Sequence, residues 1–166
     1  RHNKAIDFHA RVVFLACGGF EGSPEMLQRY VGAGAVNIRP VARGCYYNLG
    51  DGINMAVDIG AARGGDYGYY HAVPVDERSG RTEAKVLIFP FGIVVNKAGR
   101  RFTDEGVGTD YRTYDGMCHR LQAQPGGVGY AIVDAKINDI PEYTRAILSD
   151  QPPILADSLA ELAAKL

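Results

Sequence analysis

The segment from Lys85 to Tyr114 constrains the fold more than any other part of the chain. Two short apolar runs, Val86–Phe89 and Ile93–Val95, meet at a Pro-Phe-Gly bend and predict buried strands. The second run leads into Asn-Lys-Ala-Gly at positions 96–99, which predicts a hairpin turn because Asn and Gly adopt the positive φ angles of tight connections. A cluster of charged side chains around one phenylalanine follows within about ten residues: Arg100, Arg101, Phe102, Asp104, Glu105 and Asp110. Such a cluster either faces a ligand or forms a solvated hairpin end, and the sequence leaves both interpretations open.

Charge and cysteine content exclude several classes of function. The 166 residues carry a net charge of −1, so no basic surface is predicted for a nucleic-acid partner. No apolar run approaches the roughly 20 residues that a membrane helix needs. Cys17, Cys45 and Cys118 are odd in number and lack CxxC spacing, which predicts neither a disulfide framework nor a metal site. We therefore expect a reducing, cytoplasmic location.

The first predicted strand covers Arg11–Cys17, because this apolar run is rich in β-branched and aromatic residues. Gly18 and Gly19 follow, and Ser23 predicts the N-cap of a short helix that ends near Val31. Paired glycines between a strand and a helix can place bare backbone against a phosphate or a ring, although a plain tight turn explains them equally well. No segment has the full GxGxxG spacing of a dinucleotide-binding loop.

A second helix is predicted to begin around Asn48–Gly52, with an apolar face that packs against a sheet. Asp51 lies between Gly50 and Gly52 at the start of this helix. Its carboxylate either caps the free amides of the first turn or accepts a hydrogen bond from a bound group. The sequence leaves the choice open.

The aromatic segment Asp66–Val75 predicts a strand that carries His71. Thr109 or Asp110 is predicted to cap a third helix, whose apolar positions are Tyr111, Tyr114, Met117, Cys118 and Leu121. Arg112, Asp115 and His119 share the opposite face of that helix. A solvated pair of Arg112 with Asp115 is the structural alternative to a functional role for this arginine.

The last third of the chain predicts one more strand and two more helices, the first of which begins near Pro141. Val128–Val133 is a short apolar run, and Ser158 to Glu161 form a capping box before Leu159 and Leu162. The final helix reaches residue 166 without a C-cap signal. We therefore expect the chain to be a piece of a longer protein.

Several of these segments together resemble one family of flavoproteins. The segments VVFLACGGFEGSPEM, NLGDGINMAVDIGA, FGIVVNKAGRRFTDEG, GYAIVDAKI and ADSLAELAAKL occur in the order shown by flavoproteins of the fumarate reductase/succinate dehydrogenase type. The chain is most similar to the FAD-dependent tricarballylate dehydrogenases among them, because YRTY follows RRFTDEG.

The resemblance implies an α+β fold made of two parts. Residues 1–68 would be a partial segment of the α/β FAD-binding domain, and residues 69–166 would be the capping domain that holds the substrate against the flavin. The N- and C-terminal segments of the FAD-binding domain would lie outside this chain and act as its partners. FAD is therefore the implied cofactor, and this fragment alone is not expected to hold it or to turn over.

The resemblance also implies a set of site residues. Arg112 corresponds to the family's proton-shuttling arginine, and His71 to a histidine that binds a substrate carboxylate. Thr82 and Glu83 are offset from a threonine–glutamate pair that helps to bind dicarboxylates. The implied cofactor-binding residues are Cys17, Gly18, Gly19, Gly50, Asp51 and Gly52.

The implied function is hydride exchange between FAD and the CH–CH or C=C unit of a small polycarboxylate such as tricarballylate, fumarate or succinate. Two alternatives stay open: a non-catalytic ligand-binding or interaction module with the capping fold, and a related flavin dehydrogenase for steroids. Exposed sheet edges in an incomplete FAD lobe would favour a homodimer.

Overall fold

The computed structural model describes residues 5–107 and 113–166. Four α-helices and two β-strands form within these ranges, in the order α1 Pro24–Tyr30, α2 Asp51–Asp58, β1 Ile93–Asn96, α3 Tyr114–Gln122, β2 Gly129–Ile132 and α4 Leu159–Lys165. Short 3-10 helices lie between them, including Phe89–Phe91 just before β1 and Glu105–Val107, which begins at Glu105 of the charged cluster. Only a 3-10 helix, Tyr143–Ala146, forms where an α-helix was predicted to begin near Pro141. The fold is a small mixed α+β arrangement, in agreement with the predicted class.

The two strands form an antiparallel sheet in which Ile93 pairs with Ile132 and Asn96 pairs with Gly129. The turn that follows β1 is the predicted hairpin turn. The Asn96 amide donates to the Arg100 carbonyl at 2.9 Å, and Gly99 has a φ of 69°. The main partner of β1 is nevertheless β2, which lies more distant in sequence. The predicted strand 128–133 is confirmed in its central part.

The largest cluster of buried side chains joins β1 to α3. Phe89, Val94, Met117 and Cys118 are buried together. The partly buried side chains that pack against them are Ala72, Leu87, Phe102, Tyr114 and Leu121. The predicted apolar face of the third helix is thus confirmed, except at Tyr111, which lies outside the described residues.

Helix starts follow the predicted capping signals at two of three sites. The Ser23 hydroxyl accepts a hydrogen bond from the Met26 amide at 3.3 Å, and the Ser158 hydroxyl accepts one from the Glu161 amide at 3.1 Å. The alternative in which the Asp51 carboxylate caps this helix is not observed. Gly50 occupies the N-cap of α2 with a φ of 83°, so Asp51 is already the first helical residue and no side chain caps this helix.

The strand predicted at Arg11–Cys17 is also wrong. This segment forms no strand, and the side chains from Val12 to Leu15 are 54–88% exposed. A strand requires a neighbour that receives its backbone hydrogen bonds, and no described segment pairs with this run. The strands predicted at Val86–Phe89 and Asp66–Val75 are reduced to isolated bridges, Val75 with Lys85 and Val86 with Ile147.

The described helices are short, and the longest, α3, has 9 residues. None of them has the length and apolar character to cross a membrane.

Candidate functional site

A cleft of about 260 Å³ lies where the segment 15–18 meets α2. Its lining includes Leu15, Cys17 and Gly18 from that segment, Gly52, Ile53, Ala56 and Val57 from α2, and the ring of Tyr67. The lining is mainly apolar. Three of the predicted cofactor-binding residues (Cys17, Gly18, Gly52) therefore share one cleft.

Glycines allow the two segments around this cleft to approach closely. The Gly50 amide donates to the Gly19 carbonyl at 3.0 Å, which ties the two glycine segments together. A Cβ on Gly52 would overlap the Cys17 sulfur, and a Cβ on Gly18, whose φ is 82°, would meet the Asn48 side chain. The structure thus brings all the predicted glycines into one region.

Asp51 lies exposed in the first turn of α2, next to Gly52 in the cleft. Its carboxylate makes no hydrogen bond or ion pair with any residue in the described ranges 5–107 and 113–166. The helix dipole stabilises a carboxylate at this end of α2. Asp51 is therefore able to accept a hydrogen bond from a ligand that occupies the cleft.

His71 lies in a second group of polar side chains, beside the start of α3. Its Nε2 atom is 2.7 Å from the Tyr114 hydroxyl, and its Nδ1 atom is 3.3 Å from Asp115 Oδ1. The side chain is 68% exposed, so a ligand in solvent can reach the ring. The imidazole is therefore hydrogen-bonded at Nε2, lies beside a carboxylate at Nδ1, and is accessible.

Asp115 is held by several donors at once. Its Oδ1 accepts from the Ala72 amide at 2.8 Å, and its Oδ2 accepts from the Tyr69 hydroxyl at 2.7 Å. Burial raises the pKa of the Asp115 carboxyl. The hydrogen bonds from Tyr69 and Ala72 lower it, and so do the nearby His119 and His71 side chains. These lowering effects outweigh burial, so the pKa of Asp115 lies below its ordinary value. Asp115 is consequently a carboxylate at neutral pH.

Glu105 is a buried carboxylate of the charged cluster, with a side chain only 4% exposed. It accepts a hydrogen bond from the Val94 amide at 2.6 Å and forms an ion pair with Arg101. Burial raises the pKa of Glu105, but the Arg101 and Val94 hydrogen bonds outweigh it, and the pKa lies below its ordinary value. Within the charged cluster, Glu105 and Arg101 therefore anchor β1.

The remaining predicted site residues are less closely associated. Glu83 pairs with Lys85 at 3.7 Å, and no hydrogen bond or ion pair joins Thr82 or Glu83 to His71 within the described parts of the chain. Arg112, the predicted proton-shuttling arginine, lies outside the described residues, as do the predicted caps Thr109 and Asp110.

The sequence interpretation missed two contributors. Tyr67 lines the cleft and stacks against Phe20 at 6.0 Å between ring centroids; its position in an aromatic segment was the available signal. Tyr114 was predicted only as an apolar helix position, yet its hydroxyl contacts His71. The two residues are 43 positions apart, and no local pattern links them.

Comparison with known proteins supports FAD as the cofactor of this family. A family model described as an FAD binding domain matches residues 1–153. This is most of the chain, so the chain belongs to the FAD-binding domain family. The match supports an FAD-dependent flavoprotein of the fumarate reductase/succinate dehydrogenase type, and FAD is the cofactor of the family. No solved structure matches the chain.

The lining of the cleft is chemically compatible with part of an FAD molecule. Its apolar side chains and the Tyr67 ring suit a flat aromatic ring system, whereas the spaces above Gly18 and Gly52 are occupied by the Asn48 and Cys17 side chains. Its volume is below the roughly 300–1,000 Å³ of typical small-molecule pockets, so a whole dinucleotide needs additional surface. The residues that would contact the bound part are Cys17, Gly18, Gly52 and Tyr67, with Asp51 as an acceptor.

Proposed function

We propose that this chain is part of an FAD-dependent oxidoreductase that acts on the CH–CH or C=C unit of a small polycarboxylate, of the tricarballylate or fumarate/succinate kind. The observation that carries the proposal is the cleft formed by Cys17, Gly18 and Gly52 in a chain of the FAD-binding family. When bound, FAD supplies the acceptor or donor of hydride. The protein's own residues bind and orient the substrate and move the proton.

His71 is proposed to bind a substrate carboxylate. The exposure of its ring and the two contacts that fix its orientation support this role, because a carboxylate needs a preoriented donor. Thr82 and Glu83 are proposed as weaker contributors to substrate binding. The ion pair of Glu83 with Lys85 would have to rearrange for a direct contact.

Arg112 is proposed to transfer the proton at the substrate carbon next to the one that exchanges hydride. An arginine is almost always protonated in water, so it needs carboxylates around it to relay a proton. Arg112 lies three positions before Asp115, which places a carboxylate close in sequence. The same cation would also attract a polycarboxylate substrate.

We further propose that segments outside this chain complete the FAD site, or that a second copy covers part of it. Support comes from the exposed apolar run between Val12 and Leu15, which directly precedes the cleft. The division into an FAD segment, 1–68, and a capping domain, 69–166, belongs to the same proposal.

The test is anaerobic titration of the polypeptide encoded by the whole gene, loaded with FAD, with tricarballylate and with succinate. Bleaching of the flavin absorbance by one of them, abolished in Arg112→Ala, is the expected result. Arg145→Ala is the matched control, because Arg145 is 77% exposed and pairs only with Glu142 among the described residues. Absence of bleaching by any polycarboxylate would favour a non-catalytic module or a different substrate class.

A further inference from the structure

The two ring nitrogens of His71 have different partners, and this difference favours one tautomer. Asp115 is ionised and can only accept hydrogen bonds, so it favours a hydrogen on the Nδ1 atom, which lies 3.3 Å away. In the neutral imidazole, Nε2 then has a free lone pair and accepts from the Tyr114 hydroxyl at 2.7 Å. The arrangement is thus carboxylate, imidazole and hydroxyl in sequence.

Asp115 is well placed to hold the ring in this orientation. The Ala72 amide that binds its Oδ1 belongs to the residue directly after His71, so the carboxylate fixes both the ring and its backbone. Tyr69 holds the second oxygen, and the side chain is only 15% exposed. The hydrogen bond to Asp115 raises the pKa of the Tyr69 hydroxyl, which keeps it a donor.

His119 also lies near Asp115 but is engaged elsewhere. Its Nε2 is 3.8 Å from Asp115 Oδ2, beyond normal hydrogen-bond distance. The same Nε2 is 3.1 Å from the Tyr70 carbonyl, which can only accept, so the hydrogen on Nε2 points to that carbonyl. Asp115 therefore lies closer to His71 than to His119, whose Nε2 is engaged by the Tyr70 carbonyl.

We propose that Asp115 is a positioning residue that fixes the tautomer and orientation of His71, and that the Tyr114 hydroxyl is a second contact for the substrate carboxylate. The second part rests on the function proposed above for His71. A carboxylate that reaches the exposed ring edge accepts the Tyr114 O–H, which turns away from Nε2. Nε2 then takes a proton from solvent and donates it to the other carboxylate oxygen, while Asp115 continues to accept from Nδ1.

The first experiment needs no substrate. Nuclear magnetic resonance of the protein labelled at its histidine ring nitrogens reports the tautomer of each ring, and the His71 signal is identified by its loss in His71→Gln. We expect His71 to be mainly the Nδ1–H tautomer in the wild type and to lose this preference in Asp115→Ala. Asp115→Asn, which keeps an acceptor for the Ala72 amide, is expected to give an intermediate population.

An unchanged His71 tautomer in both Asp115 variants would overturn the positioning role, and loss of the circular dichroism spectrum of the folded protein would assign the effect to general loss of structure. Asp115→Asn keeps the test valid if Asp115→Ala does not fold.

The second experiment measures the affinity of the FAD-loaded whole-gene protein for tricarballylate. Tyr114→Phe is expected to raise the dissociation constant on the order of tenfold, the effect of one lost hydrogen bond, while the His71 tautomer is kept. Tyr143→Phe is the control, because that hydroxyl contacts only Asn138 within the described ranges. An unchanged affinity in Tyr114→Phe would refute the hydroxyl contact. If the tautomer changes as expected but the wild type binds no polycarboxylate, the proposed function fails and the positioning role of Asp115 stands.

Discussion

Glu105 provides the sharpest test of how the charged cluster supports the fold. Its buried carboxylate accepts the Val94 amide at 2.6 Å, and Val94 itself belongs to the buried cluster at the base of β1. Replacing Glu105 by alanine leaves this amide buried without an acceptor, because no other described group bonds to it. The strand then loses its anchor to the segment 101–107.

The expected loss follows from the groups that are removed. An unsatisfied buried N–H costs about 1–3 kcal/mol, and one buried methylene adds about 0.8 kcal/mol. Glu105→Ala should therefore lower the free energy of unfolding by roughly 2–4 kcal/mol. Glu105→Gln keeps an acceptor for Val94 and loses only the charge, so a loss of about 1 kcal/mol is expected.

The pH dependence has a defined sign. The pKa of Glu105 is lowered in the folded protein, so its contribution is complete above the ordinary glutamate value of about 4.3. The contribution is lost as the pH falls below that value and through the lowered folded pKa. Glu105→Gln should remove this part of the acid destabilisation.

Urea unfolding at neutral pH measures the free energies, and hydrogen exchange of the Val94 amide reports the local effect. Glu83→Ala is the control: Glu83 is 57% exposed, and a change within about 0.5 kcal/mol is expected. If Glu105→Ala matched this control in both stability and Val94 exchange, the anchoring role of Glu105 would be refuted.

Three further predictions concern the sheet, an acidic group and a thiol. Gly92→Ala should destabilise the protein by about 1–3 kcal/mol in urea unfolding, because the new methyl group overlaps the carbonyl oxygen of Ile132 in β2. Gly80→Ala is the control and should not destabilise the protein, because the space around Gly80 is open. The hydrogen bonds from Arg78 lower the pKa of Asp76 to about 2. Ionised Asp76 therefore stabilises the fold at pH values above the ordinary aspartate pKa, and this contribution is lost as the pH falls towards 2. Asp76→Asn should make the melting temperature less dependent on pH in this acidic range, as measured by thermal melts. Burial raises the pKa of the Cys118 thiol to about 12, so Cys118 should resist alkylation in the folded state, whereas the exposed Cys17 in the cleft should react. Equal alkylation rates for the two thiols would contradict the burial of Cys118.

Local signals predicted much of the structure. The caps at Ser23 and Ser158 and the apolar face of α3 depend on neighbours within a few positions, and these signals were sufficient. The turn after β1 was predicted for the same reason, because Asn96 and Gly99 determine it locally.

Pairing between distant segments was not predictable in the same way. The run Arg11–Cys17 has strand composition, but composition does not supply a hydrogen-bonding neighbour, and the segment is exposed. The contacts of His71 with α3 likewise span more than forty positions. Helical spacing placed Asp115 on a polar face, yet only the fold shows that this carboxylate holds His71.

The most direct test of the account is the FAD content of the whole-gene protein with its cleft intact and blocked. Ala56 lines the cleft, so Ala56→Phe should fill it and lower bound FAD at least about tenfold, as expected when a pocket is sterically closed. Ala164→Phe changes an exposed position of α4 and should keep wild-type FAD, measured by absorbance after purification. A colourless wild type, or full FAD retention in Ala56→Phe, would contradict the assignment of this cleft to the flavin cofactor.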